Sequence, residues 1–246
     1  ILITTKSGRA GKTVVSYTGQ AGFRELPKTM NVLNPYDFVI WQYERSRGTA
    51  ADEESFGRLY GTTWDTLQNY KNVQGINWQE EVFGRKAGFQ NHNVSMSGGT
   101  AATNFSLSLT GNKEEGVQLE TGFNRYLVNF KLDHRLSSIV RFGVNARYLD
   151  QEVLGIGTSN TGTRTTNRLR HTINYRPFEL PTAGGGVDEF DEAYYLASAG
   201  ATNPVLLTRA EYRNQKTKAT YLTGNMTITP WKNLTFRSVF GYDNTD

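Results

Sequence analysis

Seven stretches of this chain alternate apolar and polar side chains with a period of two. Val15, Tyr17, Gly19, Ala21 and Phe23 share one phase, and Val94 with Met96 the next; Phe105, Leu107 and Leu109 then Tyr126, Val128, Phe130 and Leu132 follow. Val140, Phe142, Val144, Ala146 and Tyr148 form a fifth set, Leu222, Met226 and Ile228 a sixth, and Leu234, Phe236, Phe240 and Tyr242 a seventh. A period of two is the signature of a strand with two unlike faces. The links also alternate. Those at 98–102, 134–138 and 229–233 are short, whereas those at 24–89, 112–122 and 151–215 are long. Segments of roughly 9 to 13 residues, with short turns at one end and long loops at the other, predict strands of a membrane β-barrel. Aromatic residues near strand ends, among them Phe23, Tyr126, Trp231 and Tyr242, fit the same reading. Seven is an odd number, so the chain is expected to be part of a larger closed sheet.

Composition excludes much else. There is no cysteine, hence no disulfide framework, thiolate metal site or cysteine nucleophile. A net charge of +4 from 27 basic and 23 acidic residues is too small and scattered to indicate nucleic acid. The longest apolar run is Ala193 to Ala197, far short of the roughly 20 residues of a transmembrane helix.

The long links carry helix signals. Asn34-Pro35-Tyr36-Asp37 places a cap, a first-turn proline and an acidic residue in order. Asn77-Trp78-Gln79-Glu80 repeats that logic, and 52–60, 66–70 and 188–196 are further helical patches. No catalytic constellation stands out. His92, His134 and His171 lie about 40 residues apart with no ligand-pair spacing; His134 is expected in a short turn and His171 in a long loop. The pairs Glu53-Glu54, Glu80-Glu81 and Glu114-Glu115 are adjacent, whereas glycoside hydrolysis needs carboxylates facing each other about 5 to 9 Å apart. Gly184-Gly185-Gly186 lacks the strand–helix context of a phosphate cradle. No enzyme activity, cofactor or metal is expected.

Ligand handling is the more promising chemistry. Trp41, Trp64, Tyr175, Arg176, Tyr194 and Tyr195 fall in the long links, where aromatic rings can stack on sugar faces or contact a covering partner. Arg125, Lys131, Arg141, Asn145 and Arg147 share the polar phase of neighbouring strands. They are candidates for a polar seam between a barrel wall and whatever fills its lumen.

Several blocks resemble, in order, the SusC/RagA family of TonB-linked outer-membrane transporters. Ile1-Leu2-Ile3-Thr4-Thr5-Lys6-Ser7-Gly8 is similar to the end of that family's plug, and Asn77 to Phe83 followed by Gln90 to Gly99 to its first hairpin region. Asn104 to Leu109, Arg125 to Phe130 and Asn203-Pro204-Val205-Leu206 continue the series. The resemblance implies an all-β fold: about the first seven strands of a plugged transmembrane barrel of about 22 strands, with short helices in its extracellular loops. Residues 1–11 would be the last plug strand and its exit turn, and 12–246 the N-terminal part of the barrel. It further implies an outer-membrane location in Bacteroidetes-type bacteria and uptake of an oligosaccharide or peptide. The partners implied are a SusD-like surface lipoprotein acting as a lid, the TonB energising complex through a segment outside these residues, and the lipid bilayer, without nucleic acid. The residues alone leave another class open: a soluble or surface-attached β-rich module that binds glycans or proteins, or a scaffold in a larger surface complex.

Overall fold

The computed structural model describes residues 11–155, 167–179, 192–198 and 200–246. The expected plug strand and the triple glycine therefore lie outside the described residues. Seven strands are present: β1 (Gly11–Arg24), β2 (Ala87–Gly99), β3 (Thr103–Glu115), β4 (Gly122–Arg135), β5 (Val140–Leu154), β6 (Asn214–Trp231) and β7 (Leu234–Thr245). They pair antiparallel in chain order to make one sheet. The register converts each strand's alternation into rows that run across the sheet. Val15, Met96, Leu107, Phe130, Ala146, Leu222 and Tyr242 are successive partners from β1 to β7. One residue along, Ser16, Ser95, Ser108, Asn129, Arg147, Tyr221 and Asp243 form the matching polar row on the opposite face.

This topology corrects the expected partial transmembrane barrel. β1 and β7 are the two edges of one open sheet and do not pair with each other. An edge presents unpaired backbone N–H and C=O groups, each costing several kcal/mol in hydrocarbon, so an open sheet does not by itself span lipid. The expectations that depended on the barrel go with it: the outer-membrane location, the bilayer as a partner, and TonB-driven nutrient uptake beneath a SusD-like lid. Among the described residues no helix is long and apolar enough to cross a membrane. The alternation misled because an open sheet with one apolar face and a barrel wall share the same period of two.

The long links leave the sheet at one end and fold into a helical layer. It contains α1 (Pro35–Ser46), α2 (Ala50–Tyr60), α3 (Trp64–Gln68), α4 (Trp78–Phe83), α5 (Arg168–Asn174), α6 (Glu192–Ala197) and α7 (Pro204–Ala210). Side-chain caps start them. Asn34 Oδ1 accepts from the Asp37 N–H at 2.8 Å, with Pro35 at the first position. Thr49 caps α2, Asn77 caps α4, and Asn203 Oδ1 accepts from both Val205 and Leu206. Each such cap is worth about 1 kcal/mol against alanine. At the mouth of this end Gly155 adopts φ +79°, where a Cβ would meet the Glu120 carbonyl oxygen at 2.6 Å. Its N–H donates to the Arg213 carbonyl at 2.7 Å, closing the base of the last long link.

The core lies in this layer. Phe38, Val39, Phe56, Tyr60, Leu67, Trp78, Val82, Phe83, Tyr175, Phe178, Tyr194 and Val205 form one buried cluster, with no strand residue among them. On the sheet, apolar side chains of one face remain open to solvent: Val15 and Phe240 are each 64% exposed.

Where that face turns polar, near the helical layer, Glu152 is held by two strands. Asn214 Nδ2 donates to its Oε1 at 2.7 Å, and Lys216 Nζ lies 3.4 Å from the same oxygen. The Asn214 hydrogen bond, helped by Asn124 and Lys216, lowers the Glu152 pKa below the usual carboxylate range. A carboxyl depressed in the folded state contributes stability at pH values above its unfolded pKa and loses it as pH falls through the folded one. Glu152→Gln is therefore expected to lose less stability than the wild type between about pH 7 and about pH 3, as read by urea unfolding. Equal losses would show that the carboxyl titrates as it does in the unfolded chain.

Candidate functional site

The helical layer is built from parts of the chain distant in sequence, joined by backbone bonds. Ile76 N–H donates to the Pro177 carbonyl at 2.7 Å, and Leu119 N–H to the Val82 carbonyl at 2.9 Å. Trp78 Nε1–H donates to the Arg176 carbonyl at 2.7 Å, while its ring meets Tyr175 edge-on at 5.3 Å. Phe178 takes Phe38 and Tyr60 against its ring at 6.0 and 6.3 Å. A loop layer with its own packed core presents fixed surfaces, the condition for a binding site on connecting segments.

Several concave surfaces result among the described residues, including a larger and a smaller one on the first long link. The larger, about 680 Å³, lies where the first long link meets the segment after α5. Its wall is the non-helical stretch Thr29–Asn34 leading into Pro35, faced by Tyr36, Tyr70, Lys71 and Ile76. Gln79, buried on α4, pins that wall: its Nε2 donates to the Met30 carbonyl at 2.8 Å and its Oε1 accepts from the Met30 N–H at 2.9 Å. The amide thus copies the two-way pairing of a neighbouring strand. Lys71 Nζ stands 4.8 Å from the Tyr36 ring centre, and Gln68 Nε2 donates to the Tyr36 hydroxyl at 3.3 Å. Burial raises the Tyr70 pKa, with Arg176 opposing, so the hydroxyl stays a neutral donor. Exposed Met30, Val32 and Leu33 give the same wall an apolar rim. The smaller cavity, about 320 Å³, is lined by Trp41, Arg45, Phe56, Tyr60 and Tyr194 among others.

Three of the expected loop-ligand residues come together but are buried. Arg176 lies over the Tyr194 ring at 4.4 Å and the Tyr175 ring at 5.8 Å, and all three are at most 5% exposed. They hold the layer together. Burial raises the Tyr60 pKa beside them, with Tyr194 adding to the effect. Trp41 and Tyr195 are on the outside; the Arg45 guanidinium stacks 4.7 Å from the Trp41 ring. Trp64 opens α3, and its side chain lies outside the described residues. The site residues that sequence reasoning missed are Tyr36, Tyr70 and Lys71. Their only local signal was the Asn34-Pro35 helix start that aims Tyr36.

The five polar-face candidates share one face of β4 and β5, with Lys131 directly opposite Asn145. Arg125 donates through Nε and Nη2 to Asn112 Oδ1 at 3.3 and 3.2 Å. Lys131 lies 3.8 Å from Asp133, Arg147 stacks 5.9 Å from the Tyr221 ring, and Arg141 and Asn145 are exposed. His134, expected in a turn, closes β4, with its Nδ1 2.6 Å from the Thr103 hydroxyl. His171, expected in a loop, is buried on α5. No group of three or more His, Cys, Asp or Glu suited to a metal occurs among the described residues.

No family model matches the chain. A TonB-dependent receptor SusC of Bacteroides thetaiotaomicron is 26% identical over 157 residues, which is 61% of this chain and 13% of that protein. The chain thus spans about an eighth of that curated relative. Among solved structures, the RagAB peptide importer in its closed-closed state superposes with a TM-score of 0.67 at 18% identity, over 98% of this chain and 29% of that one. A second RagAB peptide transporter structure gives a TM-score of 0.68 at 17% identity, with the same shares of the two chains. At such identities the structural match establishes a shared fold.

Proposed function

From a premise of distant homology to SusC/RagA-type TonB-dependent transporters, we propose that this chain is a non-enzymatic, β-rich binding module of a larger assembly. The sheet is its scaffold and the helical layer its recognition surface. The observation that carries this reading is the location of the core: the long links, not the sheet, hold the packed interior, and they shape a pinned groove of about 680 Å³. Similarity to transporter-family proteins supports a role in binding without catalysis, and supports a partner chain of the kind found in a RagAB-like complex.

The groove chemistry favours a glycan. Tyr36 and Tyr70 offer ring surface, while Thr29, Asn31 and Asn77 line the same space with amide and hydroxyl groups. Sugars are recognised by that pairing of stacking and polar contacts. Titration calorimetry of the 246-residue chain against neutral oligosaccharides and against peptides of matched length tests the assignment. An oligosaccharide should bind, and Tyr36→Ala should weaken it about tenfold, the loss of about 1.4 kcal/mol of ring contact. Binding that Tyr36→Ala leaves unchanged would place the ligand elsewhere, and preference for the peptides would assign the groove to a polypeptide.

A further inference from the structure

The polar face of the sheet divides into two unlike halves. On β1 to β3 its charges cancel in the Arg24–Glu114 ion pair at 2.7 Å, and the rest of it is uncharged and bonded to itself. Ser16 and Ser95 hydroxyls lie 2.7 Å apart, and Asn93 Nδ2 donates to Ser108 and Thr110 at 2.9 and 2.7 Å. On β4 to β7 it is cationic. Arg135 is the direct partner of Arg141, Arg141 of Thr227, and Thr227 of Arg237, so three arginines share one row. Arg147 follows on the same face of β5, six residues beyond Arg141. Strand spacing puts Arg141 about 5 Å from Arg135 and about 10 Å from Arg237, with Arg147 about 20 Å along the strand. All four are exposed, and none has an acidic partner among the described residues. Like charges directly opposite on neighbouring strands are destabilising, so the sheet carries an uncompensated cost at the Arg135–Arg141 pair.

We propose that this half-face is a docking surface for an acidic polypeptide, whose carboxylates pair with Arg135, Arg141, Arg147 and Arg237. Guanidinium groups in rows suit carboxylates, which they can engage through two parallel hydrogen bonds. Two acidic residues on the same face decide against a nucleic acid. Asp133 follows Arg135 one row on, and Asp243 closes the row of Arg147; a continuous phosphodiester backbone would be repelled at both, whereas a protein surface of mixed sign with acidic excess accommodates them. This surface is separate from the groove of the helical layer and does not depend on its ligand.

The test uses the 246-residue chain with two fluorescein-labelled probes, a poly-L-glutamate oligomer and an oligothymidylate of similar charge, followed by anisotropy at low salt. Poly-L-glutamate is expected to bind, and the double variant Arg141→Gln/Arg237→Gln to weaken it about tenfold. The control Lys28→Gln/Arg58→Gln removes the same charge from the helical layer and should leave binding nearly unchanged. Arg141→Lys/Arg237→Lys should retain most of the affinity, which separates lost charge from lost folding. Equal weakening by both glutamine pairs would reduce the effect to net charge and overturn the proposal. So would failure of poly-L-glutamate to bind, and oligothymidylate binding as tightly as glutamate would reassign the face to nucleic acid.

Discussion

Trp78→Ala is expected to destabilise the helical layer by about 4 kcal/mol. The side chain is 2% exposed, and emptying a buried tryptophan site costs about 3 to 5 kcal/mol through lost transfer energy and the cavity left behind. Two further effects place the value above the lower bound. The indole N–H bond to the Arg176 carbonyl is lost, leaving a buried acceptor without its donor. The edge-on contact with Tyr175 is lost as well. Because Trp78 joins the first long link to the segment after α5, the damage should be local. Hydrogen exchange should rise in α1, α4 and α5 while the strand amides of β3 and β4 keep their protection. Trp78→Phe retains most of the ring and should cost less than half as much. A uniform rise in exchange across sheet and helices would show that the two layers unfold as one unit.

Glu211→Ala should be nearly as damaging, at about 3 kcal/mol. Arg168 is 1% exposed; its guanidinium pairs with Glu211 at the end of α7, and its Nη1 lies 3.2 Å from His171 Nδ1. Removing one member of a buried pair strands the other charge, which costs about 3 to 5 kcal/mol. The low end applies because the Glu211 side chain is itself 36% exposed, so water screens part of the attraction. Replacing both partners, as in Arg168→Met/Glu211→Leu, should recover much of the loss. Urea unfolding of the two variants reads the difference. A double variant no better than Glu211→Ala would assign the effect to packing around α7 rather than to the stranded charge.

Much of the local structure was legible because its causes are local. Asn34-Pro35 and Asn77 announce helices through caps that act within three residues, and both helices begin there. Alternation marked all seven strands, since a half-buried strand needs nothing more than its own pattern. The correction to the fold has a different cause. Whether a sheet closes depends on its two edges, and no single strand records that, so a barrel wall and an open sheet read alike. The burial of Tyr175, Arg176 and Tyr194 was equally hidden, because loop aromatics are usually displayed. Here α4, α5 and α6 bury them, through contacts spanning about a hundred residues that no local window contains. The groove was missed for the converse reason: Tyr36 and Tyr70 become a site only once Gln79 has fixed the wall opposite them.

That wall has a thermodynamic consequence. A non-helical segment without a sheet to join would ordinarily remain mobile, and any ligand lying against it would first have to order it, at about 1 to 2 kcal/mol for each residue fixed. Gln79 makes that ordering part of folding instead. The residue is 2% exposed and follows Trp78 on the same helix, so the groove draws its rigidity from the interior of the helical layer. Substitutions deep in that interior would therefore reach an incoming ligand as an entropy, without altering a single atom that touches it.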